Sequence, residues 1–261
     1  MPIDDPDLAI AAAEAGAAVV RRAFGAPLDR FDKGAGDFAT AADIEAENAI
    51  LDVLRRERPG DEVVGEESGR SGAGGSDRLW LVDPLCGTLN FAARTMLVAV
   101  NVALRSGSST LASASADPFA GEVYWTDGVR ARVRRDGVDE PLTPSAVSAL
   151  VDVNIDPPYP ADGPLAVLAD PDFAARFRPR VVSTTLAVAW VAAGRRAAYV
   201  TYGDLRDSVH FAAGIALCEA AGCVVTGLRG QPWQEEGAGL LAAADEQTHA
   251  ALLAILSRRG R

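Results

Sequence analysis

Cysteine, histidine and methionine are all scarce in this chain of 261 residues, which has three Cys, two His and two Met. Cys86, Cys218 and Cys223 make an odd number with no paired metal-binding spacing. That excludes a disulfide framework and a zinc-finger module, and it points to reduced thiols in a reducing compartment. Basic residues are outnumbered, at 25 Lys and Arg against 36 Asp and Glu, for a net charge of −11. This balance disfavours a nucleic-acid-binding surface. It does not disfavour a small phosphorylated substrate, because a bound divalent cation inverts the sign locally. A long unbroken apolar run is missing too. Glu14, Arg21 and Arg22 interrupt the alanine-rich first segment, and Asp4, Asp5 and Asp7 carry the wrong charge for the start of a secretory signal. The expectation is a cytoplasmic protein with neither a membrane nor a nucleic acid as partner.

What is present is ordinary globular composition, 49% hydrophobic and 23% charged, on a chain long enough to bury a core. Asp5-Pro6 reads as an N-cap and first helical residue, with the helix reaching about Phe24 and Gly25-Ala-Pro27 ending it. Thr40-Ala-Ala-Asp43 has the spacing of a capping box, and Ile44, Ile50, Leu51 and Leu54 continue as an apolar helical stripe. The glycine- and serine-rich stretch 69–77 reads as a surface loop. A strand over 79–82 ends at Asp83-Pro84, and further strands are expected at 96–104, 110–116, 121–125 and 129–134. The pattern changes near Pro141-Leu-Thr-Pro144. Beyond it come strands near Val151 and at 197–202, 224–225 and 240–243, with helices over 184–193, 207–221 and from Asp245. The expected division is an α+β domain, 1–143, and an α/β domain, 144–261.

Three segments place acids where a strand or helix ends: Gly65-Glu66-Glu67-Ser68, Asp83-Pro-Leu-Cys86-Gly-Thr88 and Gly203-Asp204-Leu-Arg-Asp207. Singly, each is most simply a solvated turn. The Gly87-Thr88 step adds something, since a glycine turn opening a helix presents N–H groups to an anion. A carboxylate just before it can hold a cation against that anion, the arrangement that metal-assisted phosphate hydrolysis needs.

These segments, with Lys33…Asp37-Phe-Ala-Thr40-Ala-Ala-Asp43, Ser183-Thr-Thr-Leu-Ala and Phe211-Ala-Ala-Gly214…Glu219-Ala-Ala-Gly222, resemble the inositol monophosphatase family in order and spacing from about Leu8 to Leu256. The resemblance implies a layered αβαβα sandwich of the inositol monophosphatase and fructose-1,6-bisphosphatase type, commonly a homodimer. It also implies Mg²⁺-dependent hydrolysis of a small phosphorylated metabolite without a covalent intermediate. By similarity, Glu66, Asp83 and the Leu85 carbonyl hold the first metal. Thr88 orients the attacking water with Asp43 behind it, and the N–H groups of Cys86, Gly87 and Thr88 hold the phosphate. Lys33 stands near that phosphate, or is simply a solvated loop lysine.

The chain also departs from the family pattern. Cys86 occupies the place of an Asp that binds a second metal, and sulfur is a poor partner for Mg²⁺. Three readings of Cys86 stay open: a small residue filling a tight turn, a soft-metal ligand with His210 that brings Zn²⁺ or Mn²⁺, or a thiolate activated by the helix start. The remaining ligand of that second site falls on Asp207 or His210, with Asp207 favoured for its hardness. Thr201 stands where inositol-acting members have a Glu, which weakens the case for inositol itself. The expected function is a phosphomonoesterase for a sugar, polyol or nucleotide phosphate. The alternative is a relative that binds a phosphorylated ligand or partner without turnover. Trp80 is expected in the core, and His249 on the surface of the last helix.

Overall fold

The computed structural model describes residues 3–27, 29–34, 37–72, 75, 77–156 and 163–258, and for 32–34 and 37 the backbone alone. The chain divides into two compact units. The first comprises Met1–Pro141, Thr184–Leu186 and Val209–Ala216, and the second Leu142–Ser183, Ala187–Ser208 and Leu217–Arg261. The sequence predicts a single border at 143/144, whereas Thr184–Leu186 and Val209–Ala216 group with the first unit.

The first unit begins with α1 (Asp5–Ala23), the hairpin β1 (Arg30–Gly34) and β2 (Asp37–Thr40), and α2 (Ala41–Glu57). There follow β3 (Glu62–Gly65), β4 (Gly69–Ser71), β5 (Arg78–Cys86), the short α3 (Thr88–Ala92), β6 (Ala99–Ser106), β7 (Ser109–Asp117), β8 (Glu122–Thr126), β9 (Ala131–Arg135) and β10 (Val138–Pro141). The last eight strands of this series form one sheet in the order β10-β9-β8-β7-β6-β5-β3-β4, with only β3 and β5 parallel. Helices α1 and α2 lie on one face and bury Leu8, Ile10, Val20, Ile50 and Leu54 against Trp80, Val82, Val100 and Val102. Each such side chain contributes roughly 1.5–3 kcal/mol when fully buried. Trp80 is core, as expected, and its indole Nε1–H donates to Asp61 at 2.9 Å.

Two local expectations are corrected here. Asp4, not Asp5, caps α1, because its carboxylate accepts from the Asp7 N–H at 2.9 Å. In the stretch expected as loop, residues 69–71 instead pair with β3 as a strand, while 73, 74 and 76 lie outside the described residues. Displaced from the cap, Asp5 takes both Arg78 Nη groups, at 2.9 and 3.0 Å, and Arg58 Nη2 at 3.0 Å. Burial pushes its carboxyl up, but Arg78 and then Arg58 outweigh this and hold it below the ordinary value. A depressed carboxylate stabilises above its unfolded value and loses that contribution as pH falls through its folded one. Asp5→Asn is therefore expected to lower stability by about 1–2 kcal/mol at neutral pH, with the deficit shrinking on acidification, as followed by urea melts.

The second unit carries β11 (Leu150–Val153), α4 (Pro164–Leu168), α5 (Pro171–Arg176), β12 (Arg178–Val181), β13 (Ala198–Thr201), β14 (Val224–Thr226), β15 (Leu240–Ala243) and α8 (Glu246–Ser257). Its sheet runs β12-β11-β13-β15-β14, parallel across β12, β11 and β13 and antiparallel beyond. Helices α6 (Leu186–Ala192) and α7 (Ala212–Ala221) begin with residues of the first unit. The helix expected over 207–221 starts five residues late, because Asp207 and Ser208 favour turns over helix interior. His249, expected on the surface, is half-buried, with its Nε2 2.8 Å from Thr226 Oγ1.

Candidate functional site

Strand parity decides what gathers at the end of β5. Trp80 and Val82 point into the core under α1 and α2, while Leu81 packs with Ala103 and Ala213 on the opposite face. Asp83, two residues after Leu81, takes that opposite face as well. Register sets Asp83 against Asn101 of β6, and Asn101 against Ser115 of β7. The outcome is a buried polar row. Ser115 Oγ donates to Asn101 Oδ1 at 2.7 Å, and Asn101 Nδ2 donates to Thr185 Oγ1 at 2.8 Å and reaches Asp83 Oδ2 at 3.5 Å.

Past Asp83 the register slips. Cys86 pairs with Ala99, so three steps along β5 (83 to 86) match two along β6 (101 to 99). The extra residue is a β-bulge at Pro84-Leu85, where a proline costs no ladder bond. It drops the Leu85 side chain into the core and returns Cys86 to the face of Asp83. Gly87 then adopts φ 102°, a backbone that residues with a Cβ rarely take, and α3 begins at Thr88. Since α3 has only five residues, little helix dipole develops, and the N–H groups of its first turn are what it offers.

Thr88 and Asp43 meet as the sequence suggested. The Thr88 hydroxyl has Asp43 Oδ1 at 3.0 Å and the Leu85 carbonyl at 3.2 Å. Asp43 is fixed by the capping box of α2, its Oδ2 accepting from the Thr40 N–H at 2.8 Å and the Thr40 hydroxyl at 2.5 Å. Burial pushes the Asp43 carboxyl above its ordinary value, against hydrogen bonds from Thr40 and Thr88 that pull it back.

Glu66 follows β3, with its N–H donating to the Val82 carbonyl at 3.0 Å. That hydrogen bond sets Glu66 beside the residue preceding Asp83, and its carboxyl oxygen Oε2 is buried. Sequence reasoning missed the residue that shapes this turn, Glu47 of α2. It is 2% exposed, and its two oxygens accept from the N–H groups of Glu67 and Ser68 at 2.8 Å each. A Cβ at Gly65 would stand 2.6 Å from that carboxyl, so the close approach requires glycine. Only the buried side of an amphipathic helix hinted at Glu47, and nothing linked it to residues twenty positions away. Glu47→Gln turns one oxygen into a donor facing an N–H. Thermal melts should show a loss of about 1–3 kcal/mol, and cation titrations a ~10-fold weaker site; no change in either would remove Glu47 from this role.

Asp83, Cys86 and His210 form the one cluster among the described residues whose potential metal-ligand atoms all lie within 4.8 Å of one another. His210 Nδ1 stands 2.8 Å from Asp83 Oδ2. Burial raises the Asp83 carboxyl, but His210, with hydrogen bonding to Glu66 and Cys86, more than offsets it and leaves it low. The imidazole moves oppositely: burial lowers it, and Asp83 outweighs burial, with Cys86 adding, to push it up to about 12. Burial and the Asp83 charge push the Cys86 thiol up. This direction is opposite to the one that activation by the start of α3 would produce.

Asp207, the residue favoured on hardness, is outside this cluster. It lies in an exposed turn of the second unit, lining a depression with Asp204, Arg206 and Ser208. Thr201 is buried in β13, its hydroxyl 3.5 Å from the Tyr202 carbonyl. Lys33 lies in β1, and its side chain falls outside the described residues. Besides Glu47, the buried Asn101, Ser115 and Thr185 also escaped the sequence, because only strand register brings them to Asp83.

The two donor sets differ in their fit to Mg²⁺. Glu66, Asp83 and the Leu85 carbonyl are all oxygen and fit a hard cation. Asp83, Cys86 and His210 do not fit Mg²⁺, since two of the three donors are sulfur and imidazole.

The sequence profile of the Inositol monophosphatase family matches residues 5–261. An inositol-1-monophosphatase of Caulobacter vibrioides is 32% identical over 209 residues, covering 74% of this chain and 77% of that one. The inositol-1-monophosphatase ImpA of Mycolicibacterium smegmatis is 32% identical over 239 residues, covering 88% and 83%. Among solved structures, the extragenic suppressor protein suhB of Bartonella henselae matches with a TM-score of 0.85 at 25% identity, over 97% of this chain and 98% of that one. The expected fold class, mixed sheets layered with helices, is borne out. From Asp5 to Arg261, then, this chain belongs to the inositol monophosphatase family of phosphoric monoester hydrolases.

Proposed function

We propose that this chain hydrolyses a small sugar, polyol or nucleotide phosphate by direct attack of water. The observation that carries the reading is the Thr88 hydroxyl held at 3.0 Å from Asp43 and 3.2 Å from the Leu85 carbonyl, next to the fully buried Asp83 and to Glu66, whose N–H is tied to the Val82 carbonyl. Glu66, Asp83 and the Leu85 carbonyl would hold a hard cation such as Mg²⁺, which would supply Lewis-acid polarisation and a more nucleophilic water.

The chain's own groups then have definite tasks. Thr88 Oγ1 gives its proton to Asp43 Oδ1, so its lone pairs face outward and accept from the attacking water. The N–H groups of Cys86, Gly87 and Thr88 receive the phosphate oxygens. The net charge of −11 favours a small metabolite over a nucleic acid as partner. The three free cysteines accord with the cytoplasm, and family resemblance with a homodimer. No described helix is long and apolar enough to cross a membrane.

The test is phosphate release from a panel of sugar, polyol and nucleotide phosphates with Mg²⁺, Mn²⁺ and Zn²⁺ in turn. Turnover of at least one substrate is expected. Saturable binding of a phosphorylated ligand with no release under any cation would instead identify a binding protein.

A further inference from the structure

We propose that Asp83, Cys86 and His210 bind a zinc-type cation, so that the second cation site of this chain is selective for a borderline metal and not for Mg²⁺. The inference deepens the hydrolase reading and rests on it for the cation's part in turnover, while the binding itself stands on geometry.

The donor set is one carboxylate oxygen, one sulfur and one imidazole nitrogen. Zinc accepts each of them at about 2.0–2.3 Å in tetrahedral geometry, which places donor atoms roughly 3.3–3.8 Å apart. The three side chains already hold their donor atoms within 4.8 Å of one another. His210 Nδ1 and Asp83 Oδ2, at 2.8 Å, need only open slightly, and the sulfur lies within 4.8 Å of both. Mg²⁺ demands near-octahedral oxygen and gains nothing from sulfur, so the same set discriminates against it.

The surroundings are those of a held ligand set. Asp83 is fully buried, with its Oδ1 taking the Leu85 N–H at 3.1 Å and its Oδ2 approached by Asn101 Nδ2 at 3.5 Å. Both contacts orient a first ligand from behind. Cys86 reaches this face only because of the bulge at Pro84-Leu85. The His210 side chain is 42% exposed, so one side of the cluster opens to solvent. Three protein donors and one open position are the composition of a catalytic zinc site, whereas a structural site closes with four. On binding, the thiol proton and any imidazolium proton leave to solvent, and no electron is transferred.

The experiment uses the full chain, stripped with chelator and dialysed against equimolar Zn²⁺ in a large excess of Mg²⁺, with metal content then measured. One zinc per chain is expected. Replacement by Co²⁺ should give tetrahedral d–d bands and a sulfur-to-cobalt charge-transfer band. Cys86→Ser should abolish that band, and Cys86→Ser and His210→Ala should each weaken zinc at least ~100-fold. If either variant fails to fold, the cobalt spectrum of the unaltered chain still decides. Absence of retained zinc, a six-coordinate cobalt spectrum without the sulfur band, or equal zinc retention by folded variants would each overturn the proposal. Zinc bound with no phosphate release from any substrate leaves this inference standing and removes the hydrolase reading. Release with Mg²⁺ alone and no zinc does the reverse.

Discussion

Asp83→Asn is expected to lower phosphate release by roughly 10³-fold, about 4 kcal/mol of transition-state stabilisation. The substitution is nearly isosteric at a fully buried position, so packing changes little. Its chemistry changes on both sides. The amide oxygen can still accept the Leu85 N–H, but an NH₂ then replaces Oδ2, where His210 Nδ1 at 2.8 Å and Asn101 Nδ2 at 3.5 Å present donors. The negative charge shared between the two donor sets disappears at the same time. Initial-rate assays at saturating cation measure the effect, with a thermal melt run in parallel to separate lost chemistry from lost folding. Turnover within a few-fold of the unaltered chain would remove Asp83 from the site. Should Asp83→Asn melt below the assay temperature, Glu66→Gln tests the same pair from its other member.

The second large effect is expected at a residue that touches no substrate. Asp43→Asn places either an oxygen or an NH₂ opposite the Thr88 hydroxyl. The capping N–H and hydroxyl of Thr40 compete for the one oxygen that remains. With an NH₂ facing it, Thr88 gives its proton to the Leu85 carbonyl at 3.2 Å, and its lone pairs no longer face the water. The expected result is a kcat reduced by ~10²-fold with KM little changed. Stability should fall by only about 1 kcal/mol, the usual worth of a cap. One reason for the small loss is that burial raises Asp43. A raised acid binds protons more readily when folded, so its ionisation works against folding as pH climbs through that raised value. Asn removes this opposing contribution. Retention of kcat by Thr88→Ser and its loss in Thr88→Ala would confirm that the hydroxyl is what Asp43 positions, and an unaltered kcat in Asp43→Asn would refute it.

The parts of this molecule that were legible in the sequence are those in which neighbouring residues decide the outcome. The capping box at Thr40-Asp43 and the glycine turn before Thr88 are local arrangements, and each appears where expected, whereas the strand expected to stop at Asp83-Pro84 runs on to Cys86 because a bulge takes the proline out of the ladder. The family resemblance assembled these pieces into the correct fold class. The unread parts are those decided by register between strands or by the depth of a helix face. Asn101 and Ser115 look like stray polar residues in apolar strands until pairing sets them beside Asp83. Hardness argued for Asp207 over His210, but α7 starts only at Ala212, and the turn before it delivers His210 to Asp83. Glu47 was invisible because a buried acid on an amphipathic helix looks the same whether or not a distant loop caps it.

The slip at Pro84-Leu85 means that the choice of cation here depends on an odd number as well as on residue identity. Were the three steps from Asp83 to Cys86 taken in regular register, without the slip, the thiol would point among the leucines and valines, and the carboxylate would face the imidazole without it. Exchanging a side chain alters which atom is offered to the ion. The slip in pairing decides whether it is offered at all, so a change of register is as consequential for this chain as a change of composition.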